Sequence, residues 1–103
     1  MKNALHFQVL AYREGDVWLA HCLECNAVAQ GDSVDEAFAG IVDAITLLVD
    51  DALIAGDLHA VFDPADVEIW NRYTLARSQL TEMQREPQQL ASSPEICAVE
   101  SPE

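Results

Sequence analysis

From Leu5 to Arg13 apolar and polar positions alternate. Leu5, Phe7, Val9 and Ala11 fall on one side of an extended chain, and His6, Gln8, Leu10 and Tyr12 on the other. This pattern predicts a strand. Glu14-Gly15-Asp16 is a tight-turn signal, and Val17–Cys22 predicts the returning strand of a hairpin. Asn26–Gln30 predicts a short third strand. The period then changes. Val34, Ala37, Phe38, Ile41, Ile45, Leu48, Val49 and Ala52 recur at helical spacing, with Asp43, Asp50 and Asp51 outside the stripe. Ser33 and Glu36 have the spacing of a capping box. In that box the Ser33 hydroxyl takes an amide of the first turn, and Glu36 reaches back to the Ser33 amide. Asp32 and Asp35 suit the positive end of the helix dipole. Gly56 is the predicted stop.

Beyond this helix the pattern weakens. Asp57–Phe62 reads as a fourth strand or an extended connection. Asp63 as cap and Pro64 at the first position predict a second helix. Its face is Ile69, Tyr73, Ala76 and Leu80, with Val67 and Trp70 nearby. Alternation in Val67–Trp70 offers a strand instead, and helix is preferred. From Glu86 onward the chain has prolines at 87, 94 and 102, four glutamates and no Lys or Arg. That composition predicts a flexible acidic tail. The expected fold class is α+β: a small antiparallel sheet in β-β-β-α-β order, packed by one long helix. The expected divisions are a domain over 1–62, a helix over 63–85 packing on it, and a disordered tail over 86–103. Both faces of the first two strands are fairly apolar, and one helix covers only one of them. The second face needs the later helix or another subunit, so a homodimer or higher oligomer is expected.

Composition narrows the function classes. The chain has 103 residues, half of them hydrophobic, enough for one modest core. No apolar run approaches the ~20 residues of a membrane span. Met1–Ala4 leads straight into the alternating strand, so no signal peptide and a cytoplasmic location are expected. With 18 Asp and Glu against 5 Lys and Arg, the net charge is −13. Such a field repels phosphate backbones and anionic lipid and attracts a basic partner. The 3 cysteines are an odd set, as in a reducing compartment.

The segment from Val17 to Ile45 resembles the HicB-like antitoxin domain, over about residues 5 to 55. The matched positions are Trp18, Cys22, Glu24, Gly31, Asp32, Ser33, Glu36 and Ala37. Leu23 stands where the family usually has proline, and Cys25 falls on a leucine position. The resemblance implies a partial ribonuclease H-like βββαβ fold. It also implies a non-enzymatic protein that neutralises a small, basic, RNA-cleaving HicA toxin. Many members carry a DNA-binding module as well. Here Arg72, Arg77 and Arg85 are the only basic residues after Phe62, and no such module fits. Direct nucleic-acid binding is therefore not expected. A stand-alone oligomeric structural or ligand-binding module, with no toxin, is the alternative.

Cys22-Leu23-Glu24-Cys25 has the Cys-x-x-Cys spacing, with His21 beside it. A structural zinc site takes four ligands, and strand neighbours His21 and Cys22 point apart, so His6 or His59 would have to complete the set. A redox pair usually opens a helix, and the next helix starts well after Cys25. Packing is favoured; metal and redox roles stay open. His6 and His21 read as structural, since no nucleophile neighbours them. Glu14, Asp16 and Glu24 flank the strands without converging. No catalytic residue, metal or cofactor is expected. For partner binding the candidates are Asp43, Asp50, Asp51 and Asp57 as an acidic surface, with Trp70 and Tyr73 as anchors. Packing of those two aromatics on the sheet is the favoured reading.

Overall fold

The computed structural model describes residues 6–82, 87–90 and 95–101. The expectations for residues 1–5, 83–86, 91–94 and 102–103 lie outside them. The elements are β1 (His6–Glu14), β2 (Val17–Cys22), β3 (Val28–Gly31), α1 (Val34–Ala55), a 3-10 turn (Leu58–Val61), α2 (Val67–Glu82), β4 (Gln88–Leu90) and β5 (Glu95–Glu100). The class is α+β. The sheet has five strands in the order β3-β2-β1-β5-β4.

Two expectations are corrected here. The sheet is mixed, not antiparallel, because β5 runs parallel to β1 with Phe7 opposite Ile96 and Val9 opposite Ala98. The expected flexible acidic tail instead supplies β4 and β5. Ile96, Ala98 and Val99 are buried, and the Ser101 amide donates to the Ala11 carbonyl at 2.7 Å. Four apolar residues between Glu95 and Glu100 have more to gain from a core than the flanking charges lose.

Alternation on β1 divides the interior. Phe7, Val9 and Ala11 join Ala20, Cys22, Ile96 and Ala98 under α1, which lies across β2 and β3. Leu10 and Val99 face the other way, where Leu23 joins Tyr73 and Ala76 of α2. Thus α2 covers the second sheet face. The uncovered face that favoured an oligomer is filled within the chain.

Helix α1 follows its predicted stripe: Ala37, Phe38, Ile41, Ile45, Val49 and Ala52 are buried. Leu48 is the exception, at 38 % exposure. The Ser33 hydroxyl accepts from the Glu36 amide at 3.1 Å, as a cap should. Glu36 reaches one residue further back than predicted, its carboxylate accepting from the Asp32 amide. At the other end Gly56 is left-handed (φ 73°). Its amide donates to the Leu53 carbonyl and the Asp57 amide to the Ala52 carbonyl, a Schellman closure.

The stretch offered as a fourth strand is the 3-10 turn, and α2 starts later than its predicted cap. The amides of Asp63 and Ala65 are already committed to the carbonyls of Glu24 and Leu23, at 2.9 and 2.8 Å. That pairing keeps 63–65 out of the helix, so the Asp66 carbonyl is the first helical acceptor, bonded by the Ile69 and Trp70 amides.

Candidate functional site

Two places on this frame gather the candidate residues. The first is the outer face of α1. A helix advances ~100° per residue, so Asp43, Leu47, Asp50 and Ile54 stand in one row opposite the buried stripe. Asp51 flanks the row on one side and Leu53 on the other. Leu47 is 64 % exposed, Leu53 58 % and Ile54 86 %; all three aspartates are exposed. Asp57 follows just past the Gly56 cap and is also exposed. The last turn of α1 holds no basic residue. Carboxylates therefore crowd the negative end of the helix dipole, an arrangement that a cation nearby would stabilise.

Sequence reasoning found the aspartates of this row and missed its apolar members. The available signal was three large apolar residues, Leu47, Leu53 and Ile54, lying off the predicted stripe. Beside the row, α1 and edge strand β4 enclose an open groove of about 610 Å³, lined by Asp35, Phe38, Val42, Asp43, Gln89 and Leu90 among others.

The aromatic candidates are not part of this face. Tyr73 is buried in the second core, where its hydroxyl accepts from Arg77 at 3.3 Å. Trp70 is half-buried, packs on the same core and lines a shallow hollow with Gln8 and Thr74. The packing reading of Tyr73 is the one its burial supports.

The second place is the five-residue loop between β2 and β3. Here Glu24 continues the sheet where β2 has turned away. The Leu23 amide donates to the Gln8 carbonyl at 2.9 Å, and the Gln8 amide donates to the Glu24 carboxylate at 2.7 Å. Burial pushes the Glu24 carboxyl above its ordinary 4.5, although the hydrogen bond from Gln8 pulls the other way. The stability linked to this group is complete below the ordinary carboxylate range. It declines as pH rises through the raised folded value, because the folded state holds the proton more tightly. Glu24→Gln retains an oxygen for the Gln8 amide and removes the charge. We expect this variant to be at least as stable as the parent at pH 7, with no gain at pH 4. Urea melts across that range check the expectation; a parent that gains stability from pH 4 to 7 relative to the variant would refute it.

The loop also fixes His21 and Asn26. Asn26 takes a left-handed conformation (φ 57°), which asparagine tolerates better than most residues. Its side-chain oxygen lies 2.6 Å from His21 Nε2, and His21 Nδ1 lies 3.5 Å from the Tyr12 hydroxyl. Arg72 of α2 lies over the Tyr12 ring, 4.4 Å from its centre. His21 is thus held by structural partners. His6 sits apart, paired with Glu95 at 2.9 Å on an exposed surface.

The matched positions of the sequence motif have structural placements. Trp18 packs against the core under α1, Ala37 is fully buried in it, and Cys22 and Cys25 both belong to it. The Asp32, Ser33 and Glu36 trio forms the α1 cap. Among the described residues no group of three or more His, Cys, Asp and Glu is arranged to hold a metal ion, and no helix is long and apolar enough to cross a membrane. Compared with protein-family models, with curated proteins and with solved structures, the chain matches none.

Proposed function

We propose that this chain is a non-enzymatic protein-binding domain of the HicB-like kind. Its role is to inhibit a small, basic, RNA-cleaving toxin by covering it. The observation that carries the proposal is the α1 row in which Leu47 and Ile54 alternate with Asp43 and Asp50, on a chain of net charge −13. Apolar centres ringed by charge suit a partner with basic residues around an apolar strip. The residue resemblance over about 5 to 55 and the βββα run followed by a strand returning beside β1 support the same reading. A cytoplasmic setting belongs to the proposal, in keeping with three cysteines present as thiols.

The test is affinity purification of the tagged protein from its own cells at low salt, read by mass spectrometry. A stoichiometric small basic protein is expected, released at high salt because exposed charge pairs are screened within ~8–10 Å at physiological ionic strength. The triple variant Asp43→Lys, Asp50→Lys, Asp51→Lys should bind that protein at least ~10-fold more weakly, a loss of about 1.4 kcal/mol. Unchanged binding by the variant would remove this face from the proposal.

The second reading is a stand-alone oligomeric or ligand-binding module with no toxin. It is favoured by the groove between α1 and β4, whose 610 Å³ falls in the range of small-molecule sites. Recovery of the bare homo-oligomer in the same experiment would support it.

A further inference from the structure

The loop after β2 holds Cys22 and Cys25 in a geometry suited to a covalent bond between them. Asn26 N–H donates to the Cys22 carbonyl at 2.9 Å, closing a helix-like turn, and Cys22 N–H donates to the Ala27 carbonyl at 2.8 Å. With the helical rise of ~1.5 Å per residue and radius of ~2.3 Å, such a turn sets its first and fourth Cα atoms roughly 5 Å apart. Disulfides span ~4.4–6.8 Å between Cα atoms. Both side chains enter the core under α1, where the Cys22 thiol also donates to Glu24 Oε1 at 3.9 Å. Both are free thiols. Cys22 is fully covered and Cys25 is 7 % exposed, so Cys25 is the more accessible of two buried residues. The third cysteine is elsewhere: Cys97 on β5 alternates with the buried Ile96 and Ala98 and contacts Tyr73 on the α2 side.

We propose that Cys22 and Cys25 form a two-electron thiol switch that hydrogen peroxide oxidises to a disulfide within the loop. The Cys25 thiolate attacks the peroxide. An S–O bond forms, the O–O bond breaks, and the departing hydroxide takes up the proton that Cys25 gave up. The sulfur of Cys22 then attacks the sulfenic acid. The S–S bond forms, the S–O bond breaks, and water leaves with the Cys22 proton. Two thiols are oxidised and one peroxide is reduced to two waters. The roles follow from the site. The neighbouring Cys22 side chain, and after it the Ala27 amide, draw the Cys25 thiol down, while Cys22 is pushed up by Cys25 and by burial. Exposure and ionisation thus both mark Cys25 as the attacking residue and Cys22 as the resolving one.

The bond would brace a busy turn. Leu23 and Glu24 hold the segment leading into α2 through Ala65 and Asp63, and Glu24 holds Gln8. The proposal stands apart from the partner-binding face on α1.

The experiment treats the folded full chain with hydrogen peroxide, then alkylates it under denaturing conditions and maps the peptides by mass spectrometry. The expected product has lost two hydrogens, with Cys22 joined to Cys25, Cys97 alkylated, and full reversal by dithiothreitol. In the Cys22→Ser variant a sulfenic acid should be trapped on Cys25 by a dione reagent. If that variant fails to fold, the parent's peptide map decides alone. Recovery of Cys22 and Cys25 as alkylated thiols after peroxide, or a disulfide that forms only in denaturant, would overturn the proposal.

Discussion

Ending the chain at Leu90 is expected to abolish the folded state. The deleted segment contains β5, an interior strand bonded to β1 along its length and to β4 on its other edge. It takes Ile96, Ala98 and Val99 out of both cores. A point variant makes the same case with the chain intact. Ile96 is fully buried, and Ile96→Ala should cost about 2–5 kcal/mol. That is a large share of the ~5–15 kcal/mol by which domains of this size are stable. Circular dichroism melts would show a lost transition for the truncated chain and a lowered one for Ile96→Ala. Unchanged melts for both would restore the acidic-tail view of this segment.

Gly31→Ala is the second large effect. A Cβ on Gly31 would lie 2.7 Å from the Ala37 amide nitrogen and 2.7 Å from Glu36 Cβ, with the Glu36 carbonyl carbon at 2.9 Å. Two of those atoms are backbone in the first turn of α1. Relief of the clash therefore requires moving the helix start away from β3, which strains the bond from Asp32 to Glu36. Overpacking of this kind costs ~1–3 kcal/mol, and the rigid neighbour puts this case near 3. For a domain this small the melting temperature should fall by about 10–20 °C. Ser33→Ala is the control: it removes one capping bond, costs ~1 kcal/mol and introduces no clash. Equal melting temperatures for the two variants would show that the close approach is not what the glycine serves.

Local pattern carried much of this fold. The first hairpin, the short third strand, α1 and the existence of α2 follow from periodicity and capping residues that each act within a few positions. Contacts between distant segments set what was missed. Glu95–Glu100 has a short apolar run bounded by acidic residues and flanked by prolines. Its composition suggests a tail, and only the unpaired edge of β1 makes it a strand. The start of α2 shifted because Asp63 and Ala65 bond to residues some forty positions earlier, which no local cap rule includes. At the candidate sites, residue types were readable and their partners were not. Glu24 was marked by the resemblance, but nothing in sequence ties it to the Gln8 amide. The α1 row was half-visible as aspartates, since apolar residues off a stripe look like ordinary surface exceptions.

The parallel pairing of β1 with β5 also sets an order of assembly. During synthesis β1, β2, β3 and α1 are made together and pair with near neighbours. The partner for the other edge of β1 is made after every other described element. Until it arrives, the strand His6–Glu14 presents open amides and carbonyls on that edge, the state from which chains pair with one another instead of with themselves. Closing a loop of nearly the whole chain is a slow step compared with forming a hairpin. The interval between the two is when the nascent protein is most exposed to misassembly, and one of the two pairings of the central strand is the last to form.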